Sequence, residues 1–139
     1  MIKGLAHAAI TVSDLAQSLA FYRDLLGFPV VRTKSLGAAG QITVLAVSGG
    51  GELELFQRPN TRPLPTDCGR PETIGLAHLA IEVDDVQTEW ERLEKAGVRP
   101  AWEPHYRKPG GSRCAHFLDP DGVVVEFIEP AEKWWPSDG

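Results

Sequence analysis

The chain repeats itself once, and the repeat constrains its fold more than any other feature. His78-Leu79-Ala80-Ile81-Glu82-Val83-Asp84-Asp85-Val86 aligns with His7-Ala8-Ala9-Ile10-Thr11-Val12-Ser13-Asp14-Leu15. His, Ala, Ile, Val and Asp match at a constant offset of 71 residues, from His7 to His78 and from Asp14 to Asp85. A unit of that length present in two copies is too long for a solenoid repeat. The 139 residues are therefore expected to form one domain of two small modules, residues 4–57 and 76–130, joined by a linker over 58–75.

Each module reads as β-α-β-β-β. Residues 5–12 alternate as a strand, with Leu5, His7, Ala9 and Thr11 on one face and Ala8, Ile10 and Val12 on the other. Ser13-Asp14 is a helix N-cap signal, with Gln17 placed as in a capping box. Leu15, Leu19, Tyr22 and Leu26 recur at helical spacing, predicting a helix of about three turns that Gly27 ends. Strands are predicted over 29–35, 41–48 and 52–57, the last two joined at Gly49-Gly50-Gly51. In the second copy, Val86, Trp90, Leu93 and Ala96 mark the helix and Gly97 ends it. Strands follow near 98–103 and 112–118, then the turn Asp119-Pro120-Asp121-Gly122 and a last strand over 123–129. The class is α+β, with the two βαβββ modules expected to pair into one cupped mixed sheet. Residues 58–75 carry Pro59, Pro63, Pro65 and Pro71 without periodicity and read as a linker. The tail 131–139, with Trp134-Trp135-Pro136, is expected to pack on a neighbour or hang free.

Bulk properties exclude several classes of function. A net charge of -5 argues against a nucleic-acid backbone as the main partner. No run of about 18 apolar residues is present, so no membrane span is expected, and Met1-Ile2-Lys3-Gly4 shows no signal-peptide pattern. Cys68 and Cys114 form no spaced motif, which suits a reduced cytoplasm.

Chemistry enters with two carboxylates set among apolar residues. Val123-Val124-Val125-Glu126-Phe127-Ile128 is apolar on both faces, and an unpaired ionised carboxylate held there would cost several kcal/mol. Glu126 must be protonated, paired or bound to a metal. Glu52-Leu53-Glu54-Leu55-Phe56 echoes it. Glu54 stands 47 residues after His7, and Glu126 stands 48 after His78. A lone strand histidine is ordinarily a core or surface residue, but the recurrence of both His and Glu at matched positions changes that reading. If a pseudo-twofold axis relates the modules, His7, Glu54, His78 and Glu126 converge. Two imidazoles and two carboxylates suit a divalent transition metal: Ni, Zn, Co, Mn or Fe.

On these residues the sequence resembles the vicinal oxygen chelate superfamily, which contains glyoxalase I, methylmalonyl-CoA epimerase, extradiol dioxygenases, fosfomycin-resistance proteins and bleomycin-binding proteins. The resemblance is carried by His7–Leu15, Ser18, Phe21-Tyr22, Leu26-Gly27 and Leu53-Glu54-Leu55. In the second half it is carried by Ala77-His78-Leu79-Ala80, Phe117-Leu118-Asp119-Pro120-Asp121-Gly122 and Val125-Glu126-Phe127. It covers about residues 4–130. It implies the glyoxalase/bleomycin resistance/dioxygenase fold, a homodimer, a metal in the cup between modules, and a small-molecule substrate with two neighbouring oxygens.

The His, Glu, His, Glu pattern is similar to that of glyoxalase I, a lyase that isomerises the glutathione–methylglyoxal hemithioacetal. That resemblance implies Glu126 as the mobile base and Glu54 as second choice. Epimerases of this fold commonly have glutamine at the Glu54 position, and extradiol dioxygenases use two His and one Glu. A metal-free binding or resistance protein of the same fold, a single-domain Fe(II) dioxygenase and a methylmalonyl-CoA epimerase-like enzyme are the alternatives. His105 and His116 read as solvated or structural rather than substrate-contacting. Lys108 and Arg113 read as surface charges before anion ligands, and Phe21, Tyr22 and Trp90 as packing.

Overall fold

The computed structural model describes residues 1–131, and the Trp134-Trp135-Pro136 tail lies outside them. The chain divides into two compact units, Met1–Pro63 and a second beginning at Leu64. Both are βαβββ modules, as the duplication predicts. The first contains β1 (His7–Val12), β2 (Val30–Ser35), β3 (Gln41–Ala46) and β4 (Glu52–Gln57). Its sheet order is β1-β4-β3-β2, with β1 parallel to β4 and the other pairs antiparallel. The second contains β5 (Leu79–Glu82), β6 (Pro100–Tyr106), β7 (Arg113–Leu118) and β8 (Val124–Glu129), in the equivalent order β5-β8-β7-β6.

The helices start alike because their caps are alike. Asp14 accepts a hydrogen bond from Gln17 N at 3.0 Å, and Asp85 accepts one from Thr88 N at 2.8 Å. Each satisfies a backbone donor that the first turn leaves without a partner. Gly27 and Gly97 end the helical segments at φ 79, a conformation that costs a residue with a Cβ. In the second unit α2 is one regular helix over Val86–Lys95, burying Val86, Trp90 and Leu93. The Trp90 ring lies 4.6 Å from that of Phe117, which in turn meets Phe127 at 5.9 Å.

The first helix departs from the predicted three regular turns. α1 is α-helical only over Leu15–Leu19 and continues as a π-helix over Ala20–Leu25. Leu26 N donates to Phe21 O, five residues back, at 3.0 Å. The wider turn goes with burial of the adjacent pair Phe21 and Tyr22, at 4% and 0% exposure, whereas Leu26 is only half-buried. Both aromatics and Trp90 serve as packing residues, as their pattern predicts.

Two further differences bear on the site. His78 precedes β5 by one residue rather than opening it. The proline-rich segment does not hang free of the second sheet. A Cβ on Gly69, at φ +80, would come within 2.8 Å of Val124 Cγ2 and 3.0 Å of Ala77 O. Only glycine allows the segment to lie that close to β8.

Candidate metal centre

Strand register places a histidine beside a glutamate in each module. Ala9 pairs with Glu54 across β1 and β4, and Ala80 pairs with Glu126 across β5 and β8. Each histidine lies two residues before that alanine and so faces the same side of its sheet. His7 Nε2 approaches Glu54 Oε2 at 3.7 Å, and His78 Nε2 approaches Glu126 Oε2 at 2.7 Å. The two pairs are equivalent by position and unequal by environment. Glu54 keeps 15% of its side chain exposed, and Glu126 keeps 1%.

The second module adds residues that have no counterpart in the first. His116 on β7 pairs with Glu126, whereas Val44 on β3 pairs with Glu54. His116 Nε2 lies 3.6 Å from Glu126 Oε1. Its ring is buried, and its Nδ1 has no hydrogen-bond partner. Burial lowers the imidazole's pKa to about 4, an effect that the neighbouring carboxylate only partly opposes. His116 is therefore neutral near pH 7 and retains a lone pair for coordination. The buried ring does not fit the solvated reading of His116 and agrees with the structural one. His78, His116 and Glu126 each offer one ligand atom, and the three atoms lie within 4.8 Å of one another. This donor set suits a divalent transition ion.

A cation already occupies part of that space. Arg107 Nη2 donates to Glu126 Oε1 at 2.5 Å, and the carboxylate raises the already high pKa of the guanidinium. Arg107 belongs to the turn after β6, and 42% of its side chain is exposed. An ion that used Glu126 Oε1 would displace it.

β6 carries the outer wall. Trp102 pairs with His116 and His105 pairs with Cys114, with the register shifting between Trp102 and His105. Residues three apart would face opposite sides of a regular strand. The bulge turns both towards His116, to ring distances of 5.0 Å for Trp102 and 6.0 Å for His105. His105 is tied down by contacts from Nδ1 to Glu103 O at 2.8 Å and from Nε2 to Cys114 Sγ at 3.4 Å. Burial raises the pKa of the Cys114 thiol, and both cysteines are free. Arg113 turns away from this face, donating to Gln87 Oε1 at 2.7 Å and lying over Tyr106, which agrees with its reading as a residue outside the site.

Comparisons with known proteins agree with this architecture. Residues 4–127 match the model of the Glyoxalase/Bleomycin resistance protein/Dioxygenase superfamily. The chain is 34% identical over 131 residues to the uncharacterized protein YwkD of Bacillus subtilis, covering 93% of this chain and 98% of that protein. It is 33% identical over 132 residues to a probable lactoylglutathione lyase of Synechocystis, covering 93% and 97%. The solved structure of SMU.1112c superposes with a TM-score of 0.77 at 32% identity, covering 93% of this chain and all of that one.

Proposed function

The chain belongs to the glyoxalase/bleomycin resistance/dioxygenase superfamily, and from that premise we propose that it is a divalent-metal-dependent lyase or isomerase. On this reading residues 1–139 act as one domain, in a homodimer, on a small substrate with vicinal oxygens. His7, Glu54, His78 and Glu126 hold the ion, which is Ni, Zn, Co, Mn or Fe. The observation that carries the reading is the repeated His–Glu pair, at 3.7 Å in one module and 2.7 Å in the other. The probable lactoylglutathione lyase among the relatives points to a glyoxalase-like reaction. Bound there, the ion would supply Lewis-acid stabilisation of the negative charge that develops when a substrate carbon loses its proton.

The chain's own residues would manage that proton. Glu126 is the better placed base, because its carboxylate is shielded from water and His78 Nε2 holds its Oε2 at 2.7 Å. Glu54 is the second choice for that role. His116 stays neutral and neither donates a competing charge nor takes the proton at neutral pH. Trp102 and His105 wall the polar cluster along β6.

The test is calorimetric titration of Ni(II), Zn(II) and Mn(II) into the chelator-stripped chain, followed by an assay of hemithioacetal isomerisation. One tight site per chain and turnover of the hemithioacetal are expected. Failure of all three metals to bind would move the chain to the metal-free binding class. One observation favours a second reading. His78, His116 and Glu126 alone form a two-histidine, one-carboxylate set, the pattern of non-haem Fe(II) oxygenases. Oxygen uptake with a catechol under Fe(II), and none with Ni(II), would select that reading.

A further inference from the structure

Beside the candidate metal donors lies an open cavity of about 780 Å³, lined by residues of the second unit alone. Leu64 from the proline-rich segment, Trp102, Leu118 and Val124 give it apolar walls, and Arg70 and Arg99 give it charge. Leu118 and Val124 stand two residues from His116 and Glu126 on the same sheet face. The cavity therefore opens about 7 Å along the strands from the candidate metal donors. Trp102 belongs to both places: it lines the cavity, and its ring lies 5.0 Å from that of His116.

The two arginines set the chemistry. Among the described residues neither Arg70 nor Arg99 makes an ion pair or a side-chain hydrogen bond, although Glu72 and Asp121 also border the cavity. Arg99 lies beside the turn at Gly122. A Cβ on Gly122 would meet Arg99 Nη2 at 3.7 Å and Leu64 at 3.8 Å, so the guanidinium and the apolar wall share one corner. A guanidinium with no protein partner beside an apolar wall is free to receive an oxyanion, which it can bind through two parallel hydrogen bonds.

We propose that this cavity binds the anionic end of the substrate: a carboxylate or phosphate carried on an apolar spacer, whose oxygenated head reaches the Glu126 cluster. Arg70 and Arg99 bind the anion, and Trp102, Leu118 and Val124 hold the spacer. The placement of the head rests on the functional reading above; the anion site itself does not.

The test uses the full-length chain passed over chelating resin, so that no ligand reports on a metal. Calorimetric titration compares 4-phenylbutyrate, its neutral amide 4-phenylbutanamide, and 3-phenylpropyl phosphate. At least a tenfold preference for both anions over the amide is expected, with the tighter anion identifying the head group of the natural ligand. Arg70→Gln with Arg99→Gln should bring the anions down to the affinity of the amide and leave the amide unchanged. Because both arginines are exposed, the variant should fold, and the wild-type comparison does not depend on it. Equal binding of anion and amide, binding of neither, or an anion preference that survives the double substitution would overturn the proposal. Metal binding without anion preference removes this site and leaves the metalloenzyme reading standing. Arginine-dependent anion binding without metal binding does the reverse.

Discussion

Replacing Arg107 with glutamine should tighten metal binding. Arg107 Nη2 sits 2.5 Å from Glu126 Oε1 and would compete for the same oxygen as an incoming cation. A hydrogen bond to a charged group contributes roughly 1.5–3 kcal/mol. Here the carboxylate is 1% exposed but the guanidinium side chain is 42% exposed, so water screens the pair and about 1 kcal/mol is the better figure. An ion that must first displace the guanidinium forfeits that amount. Arg107→Gln removes the competitor and should lower the Ni(II) Kd roughly fivefold. The same amount must appear as lost stability in the metal-free variant, because both effects come from one pair. That loss corresponds to a fall in Tm of roughly 3 °C. Calorimetric titration of Ni(II) measures the first effect and thermal melting by circular dichroism the second. Arg107→Lys, which keeps the charge, should stay within about twofold of wild type. If Arg107→Gln binds Ni(II) equally or more weakly, the guanidinium orients Glu126 instead of competing for it, and the reasoning fails.

Other expectations follow from the same geometry. Glu54→Gln and His7→Ala should each weaken metal binding by at least tenfold yet change metal-free stability by less than about 0.5 kcal/mol, since their pair is longer and more exposed; urea denaturation and metal titration separate the two effects. Phe117→Ala should cost roughly 3–5 kcal/mol in urea denaturation, because the ring is fully buried between Trp90 and Phe127. Asp119→Ala should cost about 2 kcal/mol by the same measurement, because its buried carboxylate accepts from Asp121 N at 2.9 Å and Val123 N at 2.8 Å. Iodoacetamide should label half-buried Cys68 in the native chain and Cys114 only after unfolding, as mass spectrometry of timed samples would show.

Much of the fold was legible because its signals are local and occur twice. The Asp caps, the Gly27 and Gly97 stops and the alternation around Glu54 and Glu126 each have a direct physical meaning, and the second copy confirms the first. The π-helical half of α1 was not legible, since Leu19, Tyr22 and Leu26 keep regular helical spacing in the sequence. Only the tertiary packing of Phe21 and Tyr22 distinguishes the wider turn. The role of residues 64–77 was hidden for a related reason. Proline and glycine content marks a break in periodicity, but it does not show that Gly69 lies close enough to β8 to exclude a Cβ.

The site shows where reading a duplication succeeds and where it misleads. Recurrence singled out His7, Glu54, His78 and Glu126, and register gives each His–Glu pair the same relation to its sheet. The same logic discounts any residue present in only one copy, and His116 is such a residue, since its equivalent is Val44. One sequence signal did point to it: a histidine within Cys114-Ala115-His116-Phe117-Leu118, an otherwise apolar run ten residues before Glu126. Bringing Trp102 and His105 to the same face further needed a bulge, which alternation rules do not anticipate. The second module is thus the specialised one. It holds the buried carboxylate, the extra imidazole, the guanidinium paired with that carboxylate and the cavity bordered by Arg70 and Arg99, whereas the pair in the first is more open to solvent. In a duplicated fold the shared residues fix what both copies do, and the unshared ones, here His116, Arg107, Arg70 and Arg99, are where substrate selectivity can arise without disturbing the common frame.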